Sequence, residues 1–306
     1  MLKARLAMGS ALVLILGLIL TADTYGPSWS PGWMLLCLLG STAGAVELTA
    51  MLQATGLRPS RLTAHLGTAT VVLSIFLGRA AALSTEETAF ISTKASPPDP
   101  LPLLAWPMTA LALVILATFL RLSLCFRSRE TGATVADLAG TVFVVGYLGG
   151  LGSFVAAIRW LDQPQAGWLP LLLLVVASKG SDTGAYTFGR LAGRRKLWPS
   201  LSPNKTVEGA VGGLAVGLGL TLLTAGPLAS ALGWTTLTII EATTFGVVVS
   251  IFAQLGDLME SMLKRDCLTK DASKVLPGFG GVLDVLDSTL FAAPVAFLTL
   301  RFFLIS

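Results

Sequence analysis

The chain has 306 residues, of which 54% are hydrophobic and 12% charged, with a formal net charge of +4 and a mean hydropathy of +0.77. Soluble globular chains carry about 25% charged residues, so this one cannot cover a water-facing surface; composition excludes a soluble domain and points to an all-α, polytopic membrane protein. No basic arm or aromatic-basic stretch suits a nucleic-acid partner, and one histidine (His65) with no paired cysteines excludes a zinc site built on His and Cys. His65 opens an apolar run and reads as an interface or packing residue.

The chain starts with a short basic segment and LAMGSALVLILGLILTA. Further apolar spans follow, so this is a first transmembrane helix rather than a secretory signal. About 20 apolar residues cross the hydrocarbon core as a helix. That length predicts nine spans, at 6–22, 33–52, 63–83, 101–122, 141–161, 166–188, 207–232, 236–256 and 282–304. The span at 207–232 is glycine-rich, which allows close helix packing.

Basic residues orient the bundle. Sixteen of the 21 Lys and Arg fall on the N-terminal segment and every second connection thereafter. The opposite side carries Arg79, Lys94, Arg159 and Arg301, and Lys179 lies inside a span. The positive-inside rule therefore predicts a cytoplasmic N-terminus and an external C-terminus, as an odd helix count requires. The opposite-side loops DTYGPSWSP and STEETAFISTKASPPDP read as polar, proline-rich connections.

Three charged patches, all on the side predicted to be cytoplasmic, carry the chemistry. In KGSDTGAYTFGRLAGRRKL (179–197), Lys179 and Asp182 sit at the end of a span, where a charge is costly unless it serves a site or reaches the interface. The Lys179 stem is long enough to snorkel, so both roles stay open for it. Asp182 is shorter and suggests a site more strongly. The run Arg194, Arg195 and Lys196 reads as a topology and headgroup feature.

In SPNKTVEG (202–209), Ser202 and Pro203 read as the N-cap and first turn of the next helix. Lys205 and Thr206 would add a cation and a hydroxyl to that helix N-terminus, a phosphate-binding arrangement in physical terms.

The third patch is GDLMESMLKRDCLTKDASKVLPGFGGVLDVLDS (256–288). Asp257 and Glu260 are three apart and share a helix face, as do Asp284 and Asp287 at the start of the last span. Lys264, Arg265, Lys270 and Lys274 lie between, followed by the tight turn PGFGG. Acidic pairs with basic residues between them suit hard-cation binding, with Lys and Arg taking phosphate charge. A solvated, salt-bridged loop explains Asp266 and Lys274, but not two carboxylates opening an apolar helix.

These residues resemble the phosphatidate cytidylyltransferase (CDP-diacylglycerol synthase) family. The resemblance rests on Ser261, Lys264, Arg265, Lys270, Asp271, Pro277, Gly278, Gly280, Gly281, Asp284 and Asp287. Upstream it rests on Asp182-Thr183-Gly184-Ala185-Tyr186 with Gly189-Arg190, and on Ser202-Pro203, Lys205-Thr206 and Glu208-Gly209. It covers roughly residues 140–306, whereas 1–139 match only as generic membrane helices. Three positions depart from the family: Phe279 stands for its histidine, Val285 for its arginine and Asn204 for a second lysine.

The resemblance implies attack of a phosphatidate oxygen on the α-phosphorus of CTP, with loss of pyrophosphate, at the cytoplasmic face of a bacterial inner membrane. It implies Asp257, Asp284 and Asp287 as ligands of Mg²⁺, with room for a second cation. Lys205, Lys264, Arg265 and Lys270 would neutralise phosphates, Ser202, Thr206 and Ser261 would donate hydrogen bonds, and Asp182 would meet metal or nucleotide. The family also implies a homodimer. A reaction at phosphorus with an anionic nucleophile rests on metal and positioning, so an active enzyme is expected despite Phe279 and Val285. The alternatives are another CTP-dependent lipid transferase or lipid kinase, an inactive homologue, or an ion-coupled transporter. A transporter would place its carboxylates near the midplane in paired repeats.

Overall fold

The computed structural model describes residues 2–305 apart from 28, 90–100, 125, 127–130, 162–167, 277 and 279. Pro277 and Phe279 of the glycine-rich turn, Cys125, and the basic residues Lys94, Arg127 and Arg129 therefore lie outside the described residues.

Apolar runs satisfy their backbone polar groups internally, so helices dominate. In chain order they are α1 (Leu2–Thr24), α2 (Pro31–Ala54), α3 (Arg61–Ala89), α4 (Ala105–Leu124), α5 (Ala133–Val144), α6 (Leu151–Ile158), α7 (Trp168–Ala192), α8 (Val207–Leu223), α9 (Ala229–Ala231), α10 (Ile239–Asp266) and α11 (Leu283–Ile305). A π-helical turn at Val145–Gly150 joins α5 to α6, and another at Thr224–Leu228, containing Pro227, joins α8 to α9. Each of the nine expected spans overlaps a helix. Among the described residues, seven helical rods are long and apolar enough to cross a membrane, which makes this a polytopic helical membrane protein. α1 adds a shorter apolar stretch, Gly9–Thr24. α7 is not among the seven: Lys179, Asp182 and Arg190 dilute its hydropathy.

Several boundaries differ from expectation: the helix expected from 141 starts at Ala133, and α3 runs on to Ala89 instead of 83. α10 continues to Asp266 instead of ending at 256, because Glu260 and Lys264 pair one turn apart and support the polar extension. Residues 202–206, expected as a helix start, form a strand. β1 (Lys196–Trp198) and β2 (Ser202–Thr206) pair antiparallel, Lys196 opposite Thr206 and Trp198 opposite Ser202.

The described chain divides into two compact units, each discontinuous in sequence. One is Met1–Ala156 with Asp266–Val285, the other Ala157–Arg265 with Leu286–Ser306. A division at residue 140, where the motif-bearing part begins, falls inside α5.

In the first unit, Val71, Ala110 and Val145 form a buried cluster joining α3, α4 and the first π-helical turn, with Leu111 and Val114 against it. A carboxylate starts α2: Asp23 accepts hydrogen bonds from Gly32 N at 3.0 Å and Trp33 N at 2.7 Å, which satisfies two free donors of the helix N-terminus. Glu47 of α2, 6% exposed, does the same for α11. It accepts from Val282 N at 3.0 Å, Leu283 N at 2.8 Å and Ser273 Oγ at 2.6 Å.

In the second unit, α7 and α8 pack at backbone distance. Lipid tails are as apolar as leucine, so membrane helices associate through close packing at small residues. A Cβ on Gly184 would lie 2.9 Å from Gly212 O, and one on Gly213 would lie 2.7 Å from Ser181 O. Gly209, Gly212, Gly213 and Gly217 thus make close contact with α7, whereas Gly219 and Gly226 face open space.

Candidate active site

The β1–β2 hairpin is tied to the first turn of α8. Val207 N donates to Arg195 O at 2.9 Å, and the Glu208 carboxylate accepts from Arg194 N at 2.9 Å and Arg195 N at 3.1 Å. The helix cap is Thr206, not Ser202. Its backbone is extended (φ −125°, ψ 156°) and its Oγ1 accepts from Gly209 N at 3.1 Å, the usual N-cap geometry. Ser202 is unsuited to that role because its segment already pairs with β1, and Pro203 is tolerated since a two-stranded ribbon is all edge. The N-terminus of α8 therefore opens one turn later than the sequence suggests, with Lys205 just before it.

Residues from all three charged patches line one cavity of about 470 Å³ within the second unit. Asp182, Tyr186 and Arg190 come from α7; Ser202, Asn204, Lys205 and Thr206 from β2; Gln254, Asp257 and Ser261 from α10. Asn204, which departs from the family pattern, is thus at the cavity. Gln254 anchors the wall by donating from Nε2 to Ser181 Oγ at 3.0 Å and Ala210 O at 3.1 Å.

Beside this cavity Asp257, Glu260 and Asp287 offer one carboxylate oxygen each, all within 4.8 Å of one another. Three anionic oxygens at that separation fit a hard divalent cation such as Mg²⁺. Lysines neutralise the group: Lys205 Nζ lies 2.9 Å from Asp257 Oδ2, Lys264 pairs with Glu260, and Lys179 Nζ is 3.7 Å from Asp287 Oδ1. Lys179 also lies 3.3 Å from Asp182 Oδ2, which places it in the carboxylate cluster.

The structure thus brings together Asp182, Ser202, Lys205, Thr206, Asp257 and Ser261 around the cavity, and adds Lys264 and Asp287 through the carboxylate group. Arg265, on the last turn of α10, is exposed. Lys270 and Asp284 belong to the first unit. Lys270 is exposed on its loop, and Asp284 braces that loop, with Oδ2 accepting from Gly281 N at 2.6 Å and Ala272 N at 3.0 Å. Gly280 in this turn has φ +105°, and a Cβ there would lie 2.6 Å from Asp284 Oδ2, so only glycine fits. Asp284 is not among the three grouped carboxylates; Glu260 is.

By sequence, Gln254 carried no role, Tyr186 stood only within a motif, Lys179 was open between a site and an interface role, and Glu260 was named only as the partner of Asp257 in an acidic pair suited to a hard cation. Glu260 carried a signal, its three-residue spacing from Asp257 on one helix face. Glu47 carried one too, as a carboxylate inside an apolar span.

The chain matches the cytidylyltransferase family model over residues 3–303. It is 41% identical over 157 residues to a Bacillus subtilis protein named phosphatidate cytidylyltransferase, a match covering 51% of this chain and 56% of that one. A Staphylococcus saprophyticus protein of the same name is 48% identical over 115 residues, 38% of this chain and 42% of its own length. One from Mycobacterium leprae is 38% identical over 160 residues, 52% and 48% respectively. The matched stretch thus spans about half the length of these relatives. With the family match running over nearly its full length, the chain belongs to the cytidylyltransferase family.

Proposed function

We propose that the protein transfers the cytidylyl group of CTP to phosphatidate, giving CDP-diacylglycerol and pyrophosphate. The observation that carries this is the single cavity lined by all three charged patches beside a three-carboxylate group. The names of the relatives support the same substrates.

Asp257, Glu260 and Asp287 would hold Mg²⁺, supported by their oxygen-only donor set and mutual spacing. When bound, the ion supplies Lewis-acid neutralisation of phosphate charge. Lys205 and Arg190 would bind triphosphate oxygens from the cavity wall, aided by the positive end of α8. Ser202, Thr206 and Ser261 would donate hydrogen bonds to the same oxygens. A phosphatidate oxygen forms a bond to the α-phosphorus as the bond to the bridging oxygen of the β-phosphate breaks, and pyrophosphate leaves with that electron pair. The nucleophile is already an anion, so positioning and charge neutralisation are the chain's main contributions.

In the same proposal the protein is a homodimer of the bacterial inner membrane with nine spans. The N-terminus and the site face the cytoplasm, in line with sixteen of 21 basic residues on that side.

The test uses purified protein with phosphatidate, Mg²⁺ and CTP labelled at either the α- or the γ-phosphate. Lipid-soluble label from the α position only, abolished in Asp287→Asn, is the expected result. Label entering lipid from the γ position would replace this reading with a lipid kinase. No label from either position, with folded protein, would overturn catalysis.

A further inference from the structure

Lys205 and Lys264 each meet one carboxylate of the proposed metal group. Lys179 meets two carboxylates, on different helices. Its ammonium lies 3.3 Å from Asp182 Oδ2 on α7 and 3.7 Å from Asp287 Oδ1 on α11, and it donates to Ser288 Oγ at 2.6 Å. The Ser288 hydroxyl donates in turn to Asp182 Oδ2 at 2.8 Å. Lys179, Ser288 and Asp182 thus form a closed ring, which the contact of Lys179 with Asp287 joins to the metal-capable trio. The other oxygen of Asp182, Oδ1, is buried and has no hydrogen-bond partner among the described residues.

Four carboxylates this close repel one another, and the repulsion must be offset by cations at short range. Solution ions can do this, as in two-metal sites with ions about 3.5–4 Å apart. A lysine does it without dependence on ion concentration. Lys179 is suited to this because its partners hold it from two helices, so it cannot reach substrate without leaving both carboxylates.

We propose that Lys179 is a resident cation of this site: it takes the place beside Asp287 and Asp182 that a second metal ion would need, and so limits the group to one divalent cation. This rests on the proposed metal site. Lys179 acts as a positioning residue, holding Asp287 in the orientation in which it faces Asp257 and Glu260. A second divalent ion entering between Asp182 and Asp287 would meet the ammonium's own positive charge.

The test counts metal directly. Full-length protein in detergent is titrated with Mn²⁺, and free ion is followed by electron paramagnetic resonance. One Mn²⁺ per chain is expected for the wild type and for Lys179→Arg, and two for Lys179→Ala, with millimolar methylammonium returning the alanine variant to one. Mg²⁺ dependence of the transfer reaction should change from hyperbolic to sigmoidal in Lys179→Ala. Two ions on the wild type, or an unchanged count and Mg²⁺ dependence in Lys179→Ala, would overturn the proposal. Two ions on the wild type overturn the proposal without any variant, and if Lys179→Ala does not fold, Lys179→Gln, with two ions expected, provides the second neutral substitution. No Mn²⁺ on the wild type would remove the metal site and this inference with it. Failure of the CTP reaction appears separately, in the lipid-label assay.

Discussion

Lys205 Nζ lies 2.9 Å from Asp257 Oδ2, tying the strand before α8 to the polar extension of α10 across the cavity both residues line. The pair holds a cation and a metal-capable carboxylate side by side. Both side chains are partly exposed, at 24% and 38%, so its value to stability is small, below about 1 kcal/mol. Its value to the proposed transfer reaction is larger. Lys205→Met is expected to lower CMP incorporation by about 10²–10³-fold, the usual consequence of removing one preorganised electrostatic partner. Its unfolding temperature should change little. Comparable losses of activity and of folded protein would reassign Lys205 to a structural role.

Glu260 is 1% exposed and belongs to the carboxylate trio, whereas Glu241 sits at the other end of α10 and caps its first turn, accepting from Thr238 N. Removing groups that merely orient a metal's ligands weakens binding by about 10–100-fold, so Glu260→Gln should lower Mn²⁺ affinity at least about tenfold. Glu241→Gln should leave affinity unchanged. Equal affinities in the two variants would take Glu260 out of the metal site.

Capping of α8 separates Thr206 from Ser202. Thr206→Ala should cost about 1 kcal/mol in unfolding experiments, with Thr206→Ser close to wild type. Ser202→Ala should leave stability unchanged, since its backbone is held by the hairpin. A destabilising Ser202→Ala with a neutral Thr206→Ala would reverse the assignment.

Glu47 joins α2 to the loop before α11 through three hydrogen bonds. Glu47→Ala leaves the Val282 and Leu283 amides without their acceptor, and should cost about 2–3 kcal/mol. The same variant should be nicked by protease in the 271–281 loop at concentrations that leave the wild type intact. Wild-type resistance together with wild-type stability would show that the loop is held by other contacts.

Much of the site was legible in the linear chain, because much of it is local. Asp257 and Glu260 share a face through helical periodicity alone, and the apolar spans with their flanking basic residues marked the helices. The three motif blocks could be named from their residues and order. Which of those residues meet was a different matter. Asp182, Lys205 and Asp257 line one cavity because α7 and α8 approach to backbone distance at Gly184 and Gly213, and spacing in sequence does not encode that approach. Ser202-Pro203 reads locally as a helix start, yet pairing with β1 determines its conformation. Asp284 and Asp287 share a helical repeat, but only Asp287 joins Asp257 and Glu260. The reason is the same in each case: periodicity is a property of one element, whereas a cap, an ion pair or a metal site depends on what the fold sets opposite it. Glu47 and Ser273, 226 residues apart, are joined only by the tertiary structure.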